Sequence, residues 1–245
     1  MKFLLYNIRY ATGTGAYFHL PLPGAGYLRS NPTVLNQITQ FIKSENPDIV
    51  GLLEVDTGSI RSGLINQAQH IADSLGHYSI YQCKYGLRSI NNVLPIVRKQ
   101  SNAFLAAPRV HGEHFHYFDL GIKRLIIELE LEHCAIFLVH LSLKYRHRQD
   151  QLRYLYNLIK RSAKPVIVAG DFNTFWGDNE LYLFCQAAGL VSANQEKLPS
   201  YPSNSPRMEL DFILHSPKIV VHNFYMPKKN YSDHLPLVCE FDVCS

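Results

Sequence analysis

Short apolar runs recur along the chain, and polar turn residues separate them. Each run is about as long as a buried or half-buried β-strand. The pattern predicts strands at Lys2–Ile8, Ile49–Glu54, Tyr78–Cys83, Asn92–Val97, Leu125–Glu130, Cys134–His140, Val166–Gly170, Glu209–Leu214 and Leu237–Phe241.

Three other segments have the apolar spacing of helices. Pro32–Lys43 follows Asn31, a favourable N-cap residue. Arg61–Leu75 ends before Gly76, which suits a helix C-cap. Arg148–Ile159 places Leu152, Leu155 and Ile159 on one face. Strands and helices therefore share the chain, which predicts a mixed α/β fold.

The 245 residues contain no Gly/Ser-rich linker, charge run or repeat, so we expect one domain over residues 1–245. Two long loops interrupt the pattern, and long loops in compact domains are usually functional. Glu196–Pro206 is rich in proline and serine. Ala11–Ser30 is rich in glycine, proline and aromatic residues, which suit peripheral contact with a membrane, stacking on bases, or packing onto the protein itself.

The composition is that of a globular protein, with 47% hydrophobic and 18% charged residues and a net charge of +4. This mild positive charge fits an anionic substrate but does not choose between nucleic acid, a lipid headgroup and a small phosphate ester. The five cysteines are scattered, which argues against a disulfide framework and favours a reducing compartment. No run approaches the ~20 apolar residues of a membrane span. We expect a cytoplasmic protein.

Acidic, amide and imidazole side chains stand at the ends of, or inside, the predicted strands. The apolar run Val166–Gly170 leads into Asp171 and Asn173, where a carboxylate and an amide can position water against a phosphate, although both residues also suit an Asx turn. Each polar group at a buried strand end needs a partner, so one shared site is the simplest explanation. The other members of this set are Asn7, Glu54, His140, Asp211, Asp233 and His234.

In this order along the chain, the Gly-Asp-x-Asn motif at Gly170 and the later Ser232-Asp233-His234 motif resemble the endonuclease/exonuclease/phosphatase (deoxyribonuclease-like) superfamily. The matching residues extend from Asn7 to His234. The resemblance implies a four-layer α/β sandwich, with two mainly antiparallel β-sheets flanked by helices. It also implies hydrolysis of a phosphate ester with Mg²⁺, or Mn²⁺ as the alternative ion.

The resemblance further implies a role for each residue. Asp171 would activate or orient the attacking water, and His234 would stabilise the phosphate. The implied metal ligands are Asn7, Glu54 and Asp233. The implied catalytic residues are His140, Asp171, Asn173, Asp211 and His234.

Two departures bear on the substrate. Leu53 precedes Glu54, the implied metal ligand, where many members of the superfamily carry glutamine. The residues after His140 lack the tyrosine motif of abasic-site endonucleases, which argues against DNA repair. In the basic stretch that follows, Arg146 and Arg148 are predicted to bind a second phosphate or a headgroup, unless they form the solvated start of a helix.

Three functions follow from these residues. The favoured one is a phosphomonoesterase or phosphodiesterase that acts on a lipid headgroup or a small phosphate ester. The second is a nuclease on DNA or RNA. The third, a binding module without catalysis, ranks last because every motif residue is present. Fold alone does not select among them.

Overall fold

The computed structural model describes residues 1–14, 30–83, 99–107, 110–121, 123–175, 177 and 179–244. The predicted strand Asn92–Val97 and most of the loop Ala11–Ser30 lie outside these residues. The proposed membrane contact of that loop therefore stays a prediction. No helix among the described residues is long and apolar enough to cross a membrane.

Strands dominate the described residues, and four α-helices accompany them. The strands are β1 (Lys2–Asn7), β2 (Ile49–Asp56), β3 (Tyr78–Cys83), β4 (Gln100–Ala106), β5 (Gly112–Tyr117), β6 (Leu125–Glu130), β7 (Ala135–His140), β8 (Val166–Asp171), β9 (Val191–Ser192), β10 (Asp211–His215), β11 (Ile219–Tyr225) and β12 (Leu237–Val243). The helices are α1 (Pro32–Glu45), α2 (Gln67–Leu75), α3 (Tyr145–Ile159) and α4 (Asn179–Ala188).

The strands described here form two sheets of six, in the orders β11-β12-β1-β2-β4-β3 and β5-β6-β7-β8-β10-β9. Each sheet has one parallel pair at its centre, and every other pair in it is antiparallel. The parallel pairs are β1 with β2 and β7 with β8. Parallel strands need a long crossover connection, which α1 and α3 provide.

Side chains alternate between two faces along each central strand, as strand geometry requires. In β1, Phe3 and Leu5 face the second sheet, whereas Leu4 and Tyr6 pack with α1. The strands β7 and β8 likewise send one face to the first sheet and the other to α3. The layers are therefore helix, sheet, sheet and helix, which confirms the predicted four-layer sandwich of mainly antiparallel sheets.

One predicted helix begins later than its sequence pattern indicates. The segment Arg61–Leu75 forms helix only from Gln67, because the chain first makes a 3-10 turn at Ile60–Ser62. Arg61 is buried there, with its Nη2 atom 2.9 Å from Oδ2 of the buried Asp56. This ion pair holds the arginine inside the protein, so the position cannot be the exposed first turn of an amphipathic helix.

The backbone at Gly170 sets a steric limit on β8. Gly170 has a φ of 154°, and a Cβ atom built there would lie 1.8 Å from the carbonyl oxygen of Val139 on β7. That distance is far below van der Waals contact. Glycine is therefore required just before Asp171.

We predict that Gly170→Ala lowers the free energy of unfolding by at least about 2 kcal/mol, because β7 and β8 must separate to admit the methyl group. Gly189→Ala is the matched control, since Gly189 has a positive φ of 68° but nothing within 4 Å of its Cβ position. That change should cost about 1 kcal/mol. Urea unfolding of both variants measures the difference. Equal losses would contradict the steric explanation.

Candidate active site

Four polar side chains lie on the inward-facing side of their strands, at the point where the apolar layer between the two sheets ends. Asn7 follows Phe3 and Leu5 on β1 at the same two-residue spacing. The same alternation places His140, Asp171 and Asp211 on the inner faces of β7, β8 and β10. All four side chains are buried. The two sheets thus bring these residues together.

Asp171 is the centre of this cluster. Its Oδ2 atom lies 3.1 Å from Nε2 of His140 and 3.9 Å from Nε2 of His234. The Nδ2 group of Asn7 donates to the same oxygen at 3.3 Å, which joins the two sheets. The Oδ1 atom accepts the main-chain N–H of Asn173 at 3.0 Å. Both oxygens of this carboxylate are therefore held in place.

Electrostatics keep Asp171 ionised. Burial alone would raise its pKa, but the His140 and His234 imidazoles and the Lys123 ammonium hold the pKa of Asp171 well below its ordinary value. Burial alone would lower the pKa of His234, but the carboxylates of Asp211, Asp171 and Asp233 raise it to about 10. At neutral pH the pair is therefore a carboxylate beside an imidazolium.

His234 is oriented by an acid, as the resemblance implies. Its Nδ1 atom lies 2.6 Å from Oδ2 of Asp211. The Ser200 hydroxyl also donates to that oxygen, at 2.6 Å. The ring of Tyr201 packs against the imidazole, with 5.0 Å between ring centroids. The Nε2 atom of His234 is left to face Asp171.

Glu54 reaches the site through an irregularity in β2. Its φ is 53°, and the register between β2 and β4 shifts between Leu52 and Val55. Its main-chain N–H donates to Oδ1 of Asn102 on β4 at 3.4 Å. The Nζ atom of Lys123 lies 3.6 Å from Oε1 of Glu54 and also contacts Nε2 of His140. Lys123 is therefore a cation that the site contains and that the sequence pattern did not indicate.

Arg9 is the second such cation. Its Nε atom lies 3.7 Å from Oδ2 of Asp233, and its main-chain N–H donates to Oδ1 of Asn7 at 3.2 Å. Arg9, Tyr10 and Ala11 all have positive φ, between 45° and 55°. Left-handed backbone costs about 1–2 kcal/mol per non-glycine residue. Such strain is typical of functional sites.

Oxygen atoms dominate the ligands predicted for a metal. Glu54 and Asp233 offer carboxylates and Asn7 an amide oxygen, and Mg²⁺ and Mn²⁺ prefer such ligands. The donor set therefore fits the ion. Ligand atoms of Asp171, Asp211 and His234 also lie within 4.8 Å of one another, but the protonated imidazole of His234 offers no lone pair to a metal, so Glu54, Asp233 and Asn7 fit the ion better.

The prediction that Arg148 binds substrate is wrong. Its side chain is fully buried, and its Nε and Nη2 groups donate to the carboxylate of Glu180 on α4 at 2.6 to 2.9 Å. Its Nη1 group donates to the carbonyl oxygens of Ser142 and Leu143. These bonds fix the arginine between α3 and α4, away from solvent. Arg146 is exposed in the first turn of α3, and its substrate contact stays a prediction.

Sequence reasoning missed five residues of the site, namely Arg9, Asn102, Lys123, Ser200 and Tyr201. The Pro- and Ser-rich composition of residues 196–206 did mark the loop that carries Ser200 and Tyr201 as functional. Neither Arg9 nor Lys123 belongs to a motif.

The sequence and the fold of the chain are both similar to those of known proteins. The sequence model of the Endonuclease/Exonuclease/phosphatase family matches residues 4–234. No curated protein matches the chain. Among solved structures, a mannosyl-6-phosphatase from Bacteroides thetaiotaomicron is 15% identical, with a TM-score of 0.71 and 99% of each chain covered.

Two eukaryotic structures are also similar. The human Nocturnin catalytic domain is 19% identical, with a TM-score of 0.69, and 99% of this chain and 93% of that chain are covered. A humanized D. rerio TDP2 is 15% identical, with a TM-score of 0.70 and 99% of each chain covered. At these identities the structures show a shared fold. Because the family model spans nearly the whole sequence, the chain belongs to the endonuclease/exonuclease/phosphatase family.

Proposed function

We propose that this protein is a Mg²⁺-dependent phosphoesterase that hydrolyses a phosphate monoester or diester, with a lipid headgroup or a small phosphate ester as the favoured substrate. The observation that carries the proposal is the buried cluster at Asp171. One carboxylate oxygen there meets the Nε2 atoms of both His140 and His234 within 4 Å. Hydrolysis of a phosphate ester needs a group that positions water and donors that stabilise the phosphate.

Each residue has a part in the proposed reaction that its contacts support. The ionised Asp171 accepts a hydrogen bond from the attacking water and orients it. The protonated His234 donates from Nε2 to a phosphoryl oxygen, where negative charge builds in the transition state. His140 binds the phosphate from the other side of Asp171. Asn173 donates from Nδ2 to the carbonyl oxygen of Leu141 at 2.9 Å, so it ties the segment that follows Asp171 to the one that follows His140.

The charge balance of the site supports a divalent cation. The four carboxylates of Asp171, Asp211, Glu54 and Asp233 outnumber the three cations of Lys123, Arg9 and the protonated His234. An anionic phosphate would add to this negative charge. When bound by Glu54, Asn7 and Asp233, Mg²⁺ supplies positive charge that neutralises the phosphate and polarises a P–O bond.

The nuclease alternative has less support. A nuclease needs a basic surface that follows the nucleic acid backbone. Arg148, one of the two arginines predicted to bind a second phosphate or a headgroup, is buried and paired with Glu180, so it cannot contribute to such a surface. The similarity to a mannosyl-6-phosphatase fits a small phosphate ester.

The first prediction concerns turnover on a panel of p-nitrophenyl phosphate, bis-p-nitrophenyl phosphate, sugar phosphates, phosphoinositides, sphingomyelin, plasmid DNA and RNA. We expect Mg²⁺-dependent release of product that EDTA abolishes. Asp171→Asn and His234→Gln should each lower kcat at least about 100-fold, because each removes a group that acts on the reacting atoms.

The matched control is His222→Gln. This histidine is exposed and pairs with Asp242 on the outer strands, at 2.9 Å. It should keep wild-type kcat. Turnover that persists with EDTA, or that survives both active-site substitutions, would contradict the proposal. Preference for DNA or RNA over every other substrate would select the nuclease.

The second prediction concerns Lys123. Replacing it by methionine keeps the length of the side chain but removes the positive charge beside Glu54 and His140. We expect kcat/KM for a phosphate ester to fall about 10- to 100-fold, since a charged hydrogen bond contributes about 1.5–3 kcal/mol. Lys164→Met is the control, because Lys164 instead pairs with Glu130 at 2.7 Å. Equal kcat/KM in the two variants would show that Lys123 does not act on the phosphate.

A further inference from the structure

Ser200 contacts Asp211 of the Asp211–His234 pair, and its side chain is fully buried. Its hydroxyl donates to Oδ2 of Asp211 at 2.6 Å. The Oγ atom of Ser200 in turn accepts the main-chain N–H groups of Leu210 at 3.3 Å and Asp211 at 3.2 Å. A hydroxyl has one donor and two acceptor positions, so all three are in use. The direction of the Ser200 O–H bond is therefore fixed.

This fixed O–H bond bears on the hydrogen bond between Asp211 and His234. Oδ2 of Asp211 already accepts a hydrogen bond from the Ser200 hydroxyl and lies 2.6 Å from Nδ1 of His234. An ionised carboxylate oxygen only accepts hydrogen bonds, so in its second contact the hydrogen must come from the imidazole. Nδ1 therefore carries hydrogen and donates, and Nε2 is directed to Asp171.

The segment Ser200–Ser203 also holds the main chain on both sides of His234. The carbonyl oxygen of Ser200 accepts the N–H of Leu235 at 2.8 Å. The N–H of Ser203 donates to the carbonyl oxygen of Asp233 at 2.7 Å. One short segment thus positions the imidazole through its acid partner and through its backbone.

We propose that Ser200 is a positioning residue, which acts through Asp211 to direct Nε2 of His234 at the reacting phosphate. For its kinetic readout the inference rests on the proposed phosphoesterase function. The chemistry is that of a hydroxyl, an acid and an imidazole in one hydrogen-bonded chain. Ser200 itself does not contact the substrate.

Three variants test the hydrogen-bonded series Ser200–Asp211–His234. Ser200→Ala removes the hydroxyl, and Ser200→Thr retains it. Ser59→Ala is the matched control, because the buried Ser59 hydroxyl also donates to a buried carboxylate at 2.6 Å, that of Asp56, which is not part of the Asp211–His234 chain. Circular dichroism and thermal unfolding verify that each variant is folded.

We expect Ser200→Ala to lower kcat about 10- to 100-fold with KM unchanged within about twofold, as for other residues that orient a catalytic imidazole. Ser200→Thr should recover most of this loss, and Ser59→Ala should lose stability but keep kcat. Wild-type kcat in Ser200→Ala, or an equal loss of kcat in Ser59→Ala, would overturn the inference.

A second measurement needs no turnover. The His234 Nδ1–H proton should give a far-downfield NMR signal that is protected from exchange with water. That signal should vanish or move upfield in Ser200→Ala and persist in Ser59→Ala. An unchanged signal in Ser200→Ala would overturn the inference. If wild-type protein hydrolyses no phosphate ester but the signal behaves as expected, only the proposed function fails.

Discussion

Polar groups can enter the dry layer between the two sheets only if they find partners there, because an unpaired buried polar atom costs roughly 1–3 kcal/mol. At one end of the layer the hydrogen bond from Asn7 to Asp171 meets this need across the two sheets. His140 and His234 then pair with the same carboxylate. The charged cluster therefore depends on the packing of the sheets, and the chemistry of the site depends on the fold.

The main features of the fold could be predicted because the buried strands appear in the sequence as distinct apolar runs of strand length. The structure confirms the sandwich, and α1 starts at Pro32 as predicted. The strand Gln100–Ala106 was missed because it begins with polar residues, and its burial comes from the neighbouring strands of the sheet. Helix α2 begins later than predicted because the side chain of Arg61 pairs with Asp56 inside the protein. A sequence pattern does not show such an ion pair.

Residues that stand at strand ends were predictable, and residues that reach the site from elsewhere were not. Asp171 follows a clear apolar strand, so its position and its chemistry could be read together. Lys123 and Ser200 lie outside regular strands and helices, and only the folded chain brings them to Glu54 and Asp211. Arg148 was misassigned because a basic residue near a histidine suggests an anion, whereas Glu180 on another helix neutralises it.

The central claim is that the end of the sheet layer binds a divalent cation that serves hydrolysis of a phosphate ester. Titration of the protein with Mn²⁺, followed by electron paramagnetic resonance, tests this claim most directly. The account predicts bound Mn²⁺ that Mg²⁺ displaces, at least about tenfold weaker binding in Glu54→Gln, and unchanged binding in His222→Gln. Absence of binding by the wild-type protein, or equal binding by Glu54→Gln, would contradict the account.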